Sequence, residues 1–344
     1  MTQVYTMLML KPKFELTKGI LKNLSEIERL YGQLESKRAP QSLLLNLERE
    51  NLVQSSYSSN SIEGNPLSHA EVTNLLLDSR VPTNRDEKEV TNYFQILKTL
   101  EDSVSDDINT GLVLDVHKRL MTGISNEIGG VIRNTSVIVG GYGLGNQLII
   151  KHNPPAHDRE GITKLLEELY SWLSLNDDSP ILKAGIFHHQ FVHIHPFVDG
   201  NGRTCRLLTA LVFLKNKYQI NKYFVLDDYY NIDKEQYSDK LHSADNGDLT
   251  EWLEYFTDGV KYSLQSALAK IDTGLVKLTF DIRPSRKENE VLNIFQTRHE
   301  LSSADLALEL KITRQQAFNY LKSLLNKGFI ERKGVGKSSY YVFK

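Results

Sequence analysis

Over most of this 344-residue chain, apolar residues return every third or fourth position, a spacing that dictates amphipathic helices rather than strands. A mainly α fold is therefore expected. One stretch breaks the pattern. Residues 128–155, IGGVIRNTSVIVGGYGLGNQLIIKHNPP, are rich in glycine and β-branched residues, alternate, and end at Pro154-Pro155. Strands favour Val, Ile and Thr while glycine marks bends, so a short β-hairpin or flap is expected there. Before it, residues 39–66 read as a helix, a break in the polar Ser/Asn stretch and a stop at Gly64-Asn65-Pro66. Ser68 and Glu71 form a capping-box pattern, and helices follow over 87–102 and 110–123. After it, helices are expected over 161–175, 180–195 and 203–218, the last apolar enough to lie at the centre of its domain. Residues 233–270 supply two more around Asn246-Gly247.

Charge separates the C-terminal part. Residues 285–344 hold 11 Lys and Arg against 6 Asp and Glu, so the remainder carries −7 within a total of −2. The segment 275–287, with Pro284, is a plausible boundary. Beyond it come three helical stretches (287–297, 302–311, 313–328) and two strands around a glycine turn (329–343), the pattern of a winged helix-turn-helix. The organisation expected is an N-terminal helical region over 1–100, a core over 101–275 and this domain over 276–344. A single cysteine, Cys205, excludes an internal disulfide and fits a reducing compartment. The N-terminal apolar run lacks a basic start and a cleavage site, and no window reaches the ~18 apolar residues of a membrane span. A soluble cytoplasmic protein without membrane contact is the expectation.

The chemistry concentrates in HIHPFVDGNGRTCRLL, residues 193–208. Pro196 disfavours a helical backbone at His195 and is expected to hold it extended, at a fixed break. The amides of Gly200, Asn201 and Gly202 and of the following helix start would converge where the helix dipole favours an anion. Arg203 and Arg206, three apart on that helix, share a face and suit phosphate oxygens. Asp199 beside them suits Mg²⁺, and His195 is placed to act as general base for a hydroxyl. These parts add up to phosphoryl or nucleotidyl transfer. A zinc reading competes, because His189 and His193 have i,i+4 spacing and His188 lies beside them. No glutamate stands between them to serve as a base, and on so aromatic a helix hydrogen-bonded packing suits such histidines better, His193 included.

HPFVDGNGRTCR, residues 195–206, resembles the Fic-family signature His-x-Phe-x-Asp/Glu-Gly-Asn-Gly-Arg-x-x-Arg at every fixed position. Related Doc-type kinases carry lysine where this chain has Gly202. The resemblance implies a Fic-like helical core with a small β-hairpin flap, and an enzyme that moves AMP from ATP to a Ser, Thr or Tyr hydroxyl of a protein, itself among the candidate targets. It further implies His195 as base, Asp199 as Mg²⁺ ligand and Gly200, Asn201 and Gly202 as anion hole, with Asn201 on the α-phosphate. Arg203 and Arg206 would hold the outer phosphates. Residues 129–141, GGVIRNTSVIVGG, resemble the family's target-docking flap. Tyr237 falls where the family often has paired tyrosines near adenosine, although here its neighbour is Gln236 and core packing fits it as well.

SNSIEG, residues 59–64, resembles the family's inhibitory motif Ser/Thr-x-x-x-Glu-Gly/Asn, with Ser59, Glu63 and Gly64 at the fixed positions of a helix near 55–64. A carboxylate there would occupy Arg206 before the γ-phosphate does. The resemblance also implies that such a glutamate serves AMP removal. In the C-terminal domain, Arg314, Gln315, Gln316, Asn319 and Lys322 would face DNA from the third helix, with Lys333 and Lys337 on the wing. Winged helices also dock proteins or a second copy of the chain. Two classes of function therefore stand side by side: an autoinhibited, ATP- and Mg²⁺-dependent adenylyltransferase, and a DNA-binding regulator with a nucleotide-sensing or idle core.

Overall fold

A computed structural model describes residues 10–77, 80–142, 148–273, 286–298, 300–326, 329–334 and 339–343. The flap tip, most of the boundary segment with Pro284, Gly328, Lys337 and nearly all of the N-terminal apolar run lie outside the described residues. Helices run in the order α1 (Lys18–Ser36), α2 (Gln41–Ile62), α3 (His69–Leu77), α4 (Arg85–Lys98) and α5 (Thr110–Met121). The hairpin β1 (Val139–Tyr142) and β2 (Leu148–His152) comes next. It is followed by α6 (Arg159–Leu175), α7 (Pro180–Ile194), α8 (Asn201–Lys215), α9 (Asp227–Ile232), α10 (Lys234–Ser243) and α11 (Thr250–Thr273). The remainder is α12 (Arg286–Thr297), β3 (Glu300–Leu301), α13 (Ser303–Leu310), α14 (Arg314–Asn326), β4 (Ile330–Lys333) and β5 (Tyr340–Phe343).

The chain divides into two compact units, one of Met1–Arg38 with Glu48–Asp272 and one of Ala39–Leu47 with Thr273–Lys344. The first hundred residues are thus no unit of their own. In the larger unit α8 is buried on every side from Arg203 to Leu214, as its all-round apolar sequence requires. It packs along α7, which is buried almost throughout. Trp252 of α11 closes on α7 and donates its indole N–H to the Gly185 carbonyl at 2.8 Å. Ser68 and Glu71 form the expected cap, the Ser68 amide donating to the glutamate at 2.8 Å.

One expectation fails here. The polar Ser/Asn stretch does not break α2, because its side chains find partners. Ser56 donates to the Leu52 carbonyl at 2.7 Å, Asn60 to the Ser56 carbonyl at 2.8 Å, and Gln54 to Asp228 at 2.7 Å. The short hairpin expected within residues 128–155 forms in the second half of that stretch. β1 begins only at Val139, where it pairs antiparallel with β2 across a bulge (Val139 opposite His152, Gly140 opposite Ile150). The earlier residues are tied elsewhere, the Arg133 amide donating to the Pro196 carbonyl at 3.0 Å.

In the smaller unit, α12, α13 and α14 enclose Val291, Phe295, Leu306, Leu321 and Leu324 over a three-stranded antiparallel sheet of order β3-β5-β4. Ser302 and Asp305 cap α13 reciprocally. β3, only two residues long, escapes sequence reading. Among the described residues no helix is long and apolar enough to cross a membrane.

Candidate active site

Helix α7 ends in a histidine whose backbone is left-handed, not extended: His195 has φ 51° and ψ 63°. Proline excludes the right-handed helical region for the residue before it, and the left-handed one closes the helix, at a cost of order 1 kcal/mol for a residue with a Cβ. Arg133 holds the turn. Its guanidinium is buried and donates only to carbonyls: Nε to His195 at 2.7 Å, Nη1 to Thr135 at 2.8 Å, Nη2 to Ala156 at 2.8 Å and Ile194 at 3.2 Å. The His195 Nδ1–H donates to the Val192 carbonyl at 3.2 Å, which leaves Nε2 with its lone pair. Burial pushes the imidazole down to about 4, so it is neutral at neutral pH.

From Pro196 the chain turns tightly into α8. Asn201 clasps the turn, its Oδ1 accepting from the Phe197 amide and its Nδ2 donating to the Phe197 carbonyl, both at 2.9 Å. One N–H of that side-chain amide and the backbone amide have no partner on the loop. His117 braces the same loop from α5. It stacks on Phe197 with ring centroids 3.6 Å apart, accepts from the Gly130 amide at 3.0 Å and donates to the Asp199 carbonyl at 3.0 Å. Gly200 caps α8 with φ 78°, and a side chain there would press on His117 and Met121. The first intrahelical bond of α8 runs from Thr204 to Gly200 at 2.9 Å, so the amides of Asn201, Gly202 and Arg203 face outward without helical partners.

A carboxylate stands beside this helix start. Glu63, one residue past α2, stands so close to Gly202 that any Cβ on that glycine would collide with Glu63 Oε1. The same oxygen accepts from Arg206 Nη2 at 2.8 Å. One turn earlier on α2, Ser59 accepts from Arg206 Nε through its hydroxyl at 2.7 Å and from Nη2 through its carbonyl at 2.8 Å. Gly64, left-handed at φ 89°, follows the last turn of α2. Asp227 of α9 stands 3.7 Å from Arg206 Nε, and burial raises its carboxyl even beside that cation. The two arginines of the motif diverge. Arg203 lies 3.3 Å from both Glu89 and Asp199, while Arg206 faces Ser59, Glu63 and Asp227. Asp199 also meets Arg85 at 3.2 Å and is 40% exposed at its side chain.

Tyr237 is a correction. It is 5% exposed, stacked on Tyr230 with centroids 4.3 Å apart, and its hydroxyl meets His188 Nε2 at 2.8 Å. This is a packing position without a face for adenine. His188 and His193 do not meet each other's ligands either, since the His193 ring faces Asp245 at 2.8 Å. Sequence reasoning missed Arg133, His117, Asp227 and Asp245, which lie far from the motif in sequence and carry no spacing signal.

The sequence profile of the Fic/DOC family matches residues 107–213. A protein adenylyltransferase Fic of Culex quinquefasciatus is 28% identical over 260 residues, covering 71% of this chain and 47% of that protein. One of Aedes aegypti is 30% identical over 234 residues, covering 63% and 42%. The chain thus spans about half or less of the length of these curated relatives. A crystal structure of a Fic family protein from Desulfovibrio desulfuricans G20 superposes with TM-score 0.65 at 26% identity, covering 97% of this chain and 98% of its own. His195, the helix start at Asn201 and both arginines of the motif fall inside residues 107–213, the stretch that matches the Fic/DOC family.

Proposed function

We propose that the chain is a protein adenylyltransferase that moves AMP from ATP to a hydroxyl side chain of a protein, itself among the candidate targets, and that Glu63 holds it off. The observation that carries this reading is the single oxygen of Glu63 that stands against Gly202 at the start of α8 and pairs with Arg206, because the chain's own carboxylate there takes the cation an anionic ligand would use. In the working state the ATP phosphates take the amides of α8 and the two arginines. His195 Nε2 removes the proton of the target hydroxyl, whose oxygen attacks the α-phosphorus. The bond from that phosphorus to the β-bridging oxygen breaks, and pyrophosphate leaves. Asp199 fits a Mg²⁺ ligand, since its carboxylate is accessible beside the free amides and this ion takes few carboxylates and completes its shell with phosphates and water. When bound, Mg²⁺ would neutralise phosphate charge. The same glutamate, once swung from Arg206, is also suited to orient water for AMP removal.

Label from α-labelled ATP, and none from γ-labelled ATP, should become covalently attached to protein. The reverse would mark a kinase and sink the reading. The pH dependence follows from His195. The base works deprotonated, and burial lowers its pKa to about 4, so the acid limb of kcat/KM should lie near there. Removal of Glu63 takes away a charge that favours the imidazolium, so the Glu63→Gly variant should show its midpoint no higher. A limb near the ordinary histidine value of about 6.5 would contradict the buried, neutral base.

A second reading concerns the smaller unit. Its three helices and hairpin support a winged helix-turn-helix, and Arg314, Gln315, Gln316, Asn319 and Lys322 are all exposed on α14. Lys333 on β4 is exposed and paired with Glu331 at 2.8 Å, which reduces its use for phosphate. We infer duplex DNA contact through α14, with docking of protein or a second copy as the other outcome. Arg314→Ala with Lys322→Ala should abolish a low-salt mobility shift, and affinity should fall steeply as salt rises. A wild-type chain that shifts no mixed duplex at low salt would end this reading.

A further inference from the structure

Four imidazoles converge on one carboxylate behind the active site. Asp245, in the turn after α10, places Oδ1 3.3 Å from His189 Nε2 and 2.8 Å from His193 Nδ1. Its Oδ2 lies 2.7 Å from His152 Nδ1 and 3.0 Å from His242 Nδ1. The four histidines come from three separate elements: His152 ends β2, His189 and His193 lie on α7, and His242 lies on α10.

The two oxygens have different surroundings. His189 Nδ1 meets the Gln190 side-chain amide at 3.2 Å, so its Nε2–H donates to Oδ1. His193 Nδ1 faces the same oxygen. On the other side, His152 Nε2 donates to the His193 carbonyl at 2.8 Å, which turns its Nδ1 to Oδ2 across 2.7 Å, with the ring only 2% exposed at its side chain. His242 Nδ1 faces the same point from α10.

The geometry points to a divalent transition-metal site, zinc foremost, ligated by His152 Nδ1, His242 Nδ1 and Asp245 Oδ2. The three atoms lie within 4.8 Å of one another, the two nitrogens 2.7 and 3.0 Å from the oxygen. Tetrahedral zinc, with bonds of about 2.0–2.2 Å, asks ligand atoms to stand about 3.3 Å apart, so binding opens these contacts by a few tenths of an ångström. Two imidazoles and one carboxylate with a fourth position for water suit zinc rather than magnesium, which prefers an oxygen shell. The outer contacts are those a metal site requires. The other nitrogen of His152 donates to a carbonyl, and the ligating carboxylate has its second oxygen held by His189 and His193. The i,i+4 pair that resembles a zinc helix therefore supplies the outer support, and the ligands come from elsewhere. Bound zinc would tie the foot of the β1–β2 hairpin to α10. Through His152 Nε2 it would also fix the His193 carbonyl, two residues before His195. The site is separate from Asp199 and independent of the nucleotide chemistry.

Zinc chloride titrated calorimetrically into the chelator-stripped 344-residue chain should bind saturably at one equivalent. His242→Ala, at a side chain 12% exposed, and His152→Ala should each weaken binding by about 100-fold or more, and His193→Ala by about tenfold, as expected for ligand and outer positions. Asp199→Ala should leave the stoichiometry unchanged. Far-UV circular dichroism checks the fold of each variant, and cobalt added to the wild-type chain needs no variant at all. It should give the intense visible d–d bands of four-coordinate geometry. Absent saturable zinc binding, binding undiminished in folded His242→Ala, or a weak octahedral cobalt spectrum would each overturn the site.

Discussion

Glu63→Gly should raise the initial rate of AMP transfer from α-labelled ATP by at least tenfold and up to about 100-fold. The estimate follows from what the substitution removes: one hydrogen bond between ionised partners, in the range of about 1.5–3 kcal/mol, which ATP must otherwise displace from Arg206. The guanidinium is not left bare, because Ser59 holds it at 2.7 and 2.8 Å and Asp227 remains 3.7 Å away. The variant is therefore expected to fold. Residue 63 also lies beyond the last helical residue of α2, where glycine interrupts no turn. Glu63→Gln keeps bulk over Gly202 while removing the charge, so it should be activated less than Glu63→Gly. Equal rates for wild type and Glu63→Gly would remove the inhibitory role.

His195→Ala should lower transfer by roughly 100- to 10,000-fold, the range general-base groups contribute. Alanine at φ 51° costs of order 1 kcal/mol, so His195→Asn is the sharper control: asparagine tolerates the left-handed region and supplies no base. Both variants should keep their affinity for ATP, measured by titration calorimetry, because the amides of α8 and the arginines are untouched. A variant that transfers AMP at the wild-type rate would show that the proton leaves by another route.

Helix existence was legible in this chain, since the three- and four-residue periodicity of α4 to α8, α10 and α11 is a local property. The motif was legible too, as the close spacing of His195, Asp199, Gly202, Arg203 and Arg206 places them on one loop and one helix start. What escaped depends on distant partners. α2 runs unbroken because its polar side chains find acceptors: Ser56 and Asn60 on its own backbone, Gln54, Ser55 and Ser58 on α9, about 170 residues away. α9, at six residues, is too short to show a period. The proline rule gave a break at His195 but the wrong backbone basin, because a left-handed helix end also satisfies it, and Arg133 holds that end from another element. Tyr237 was drawn toward the nucleotide by resemblance, while Tyr230 and His188 draw it into the core.

The central claim is that an intact transferase is restrained by one carboxylate on its phosphate arginine. Intact-mass spectrometry of wild type, Glu63→Gly and the double variant Glu63→Gly/His195→Ala, each incubated with ATP and Mg²⁺, tests it most directly. The account predicts a gain of one or more AMP units on Glu63→Gly, far less on wild type and none on the double variant. AMP on the double variant equal to that on Glu63→Gly, or no gain on Glu63→Gly itself or on an added protein mixture, would contradict it.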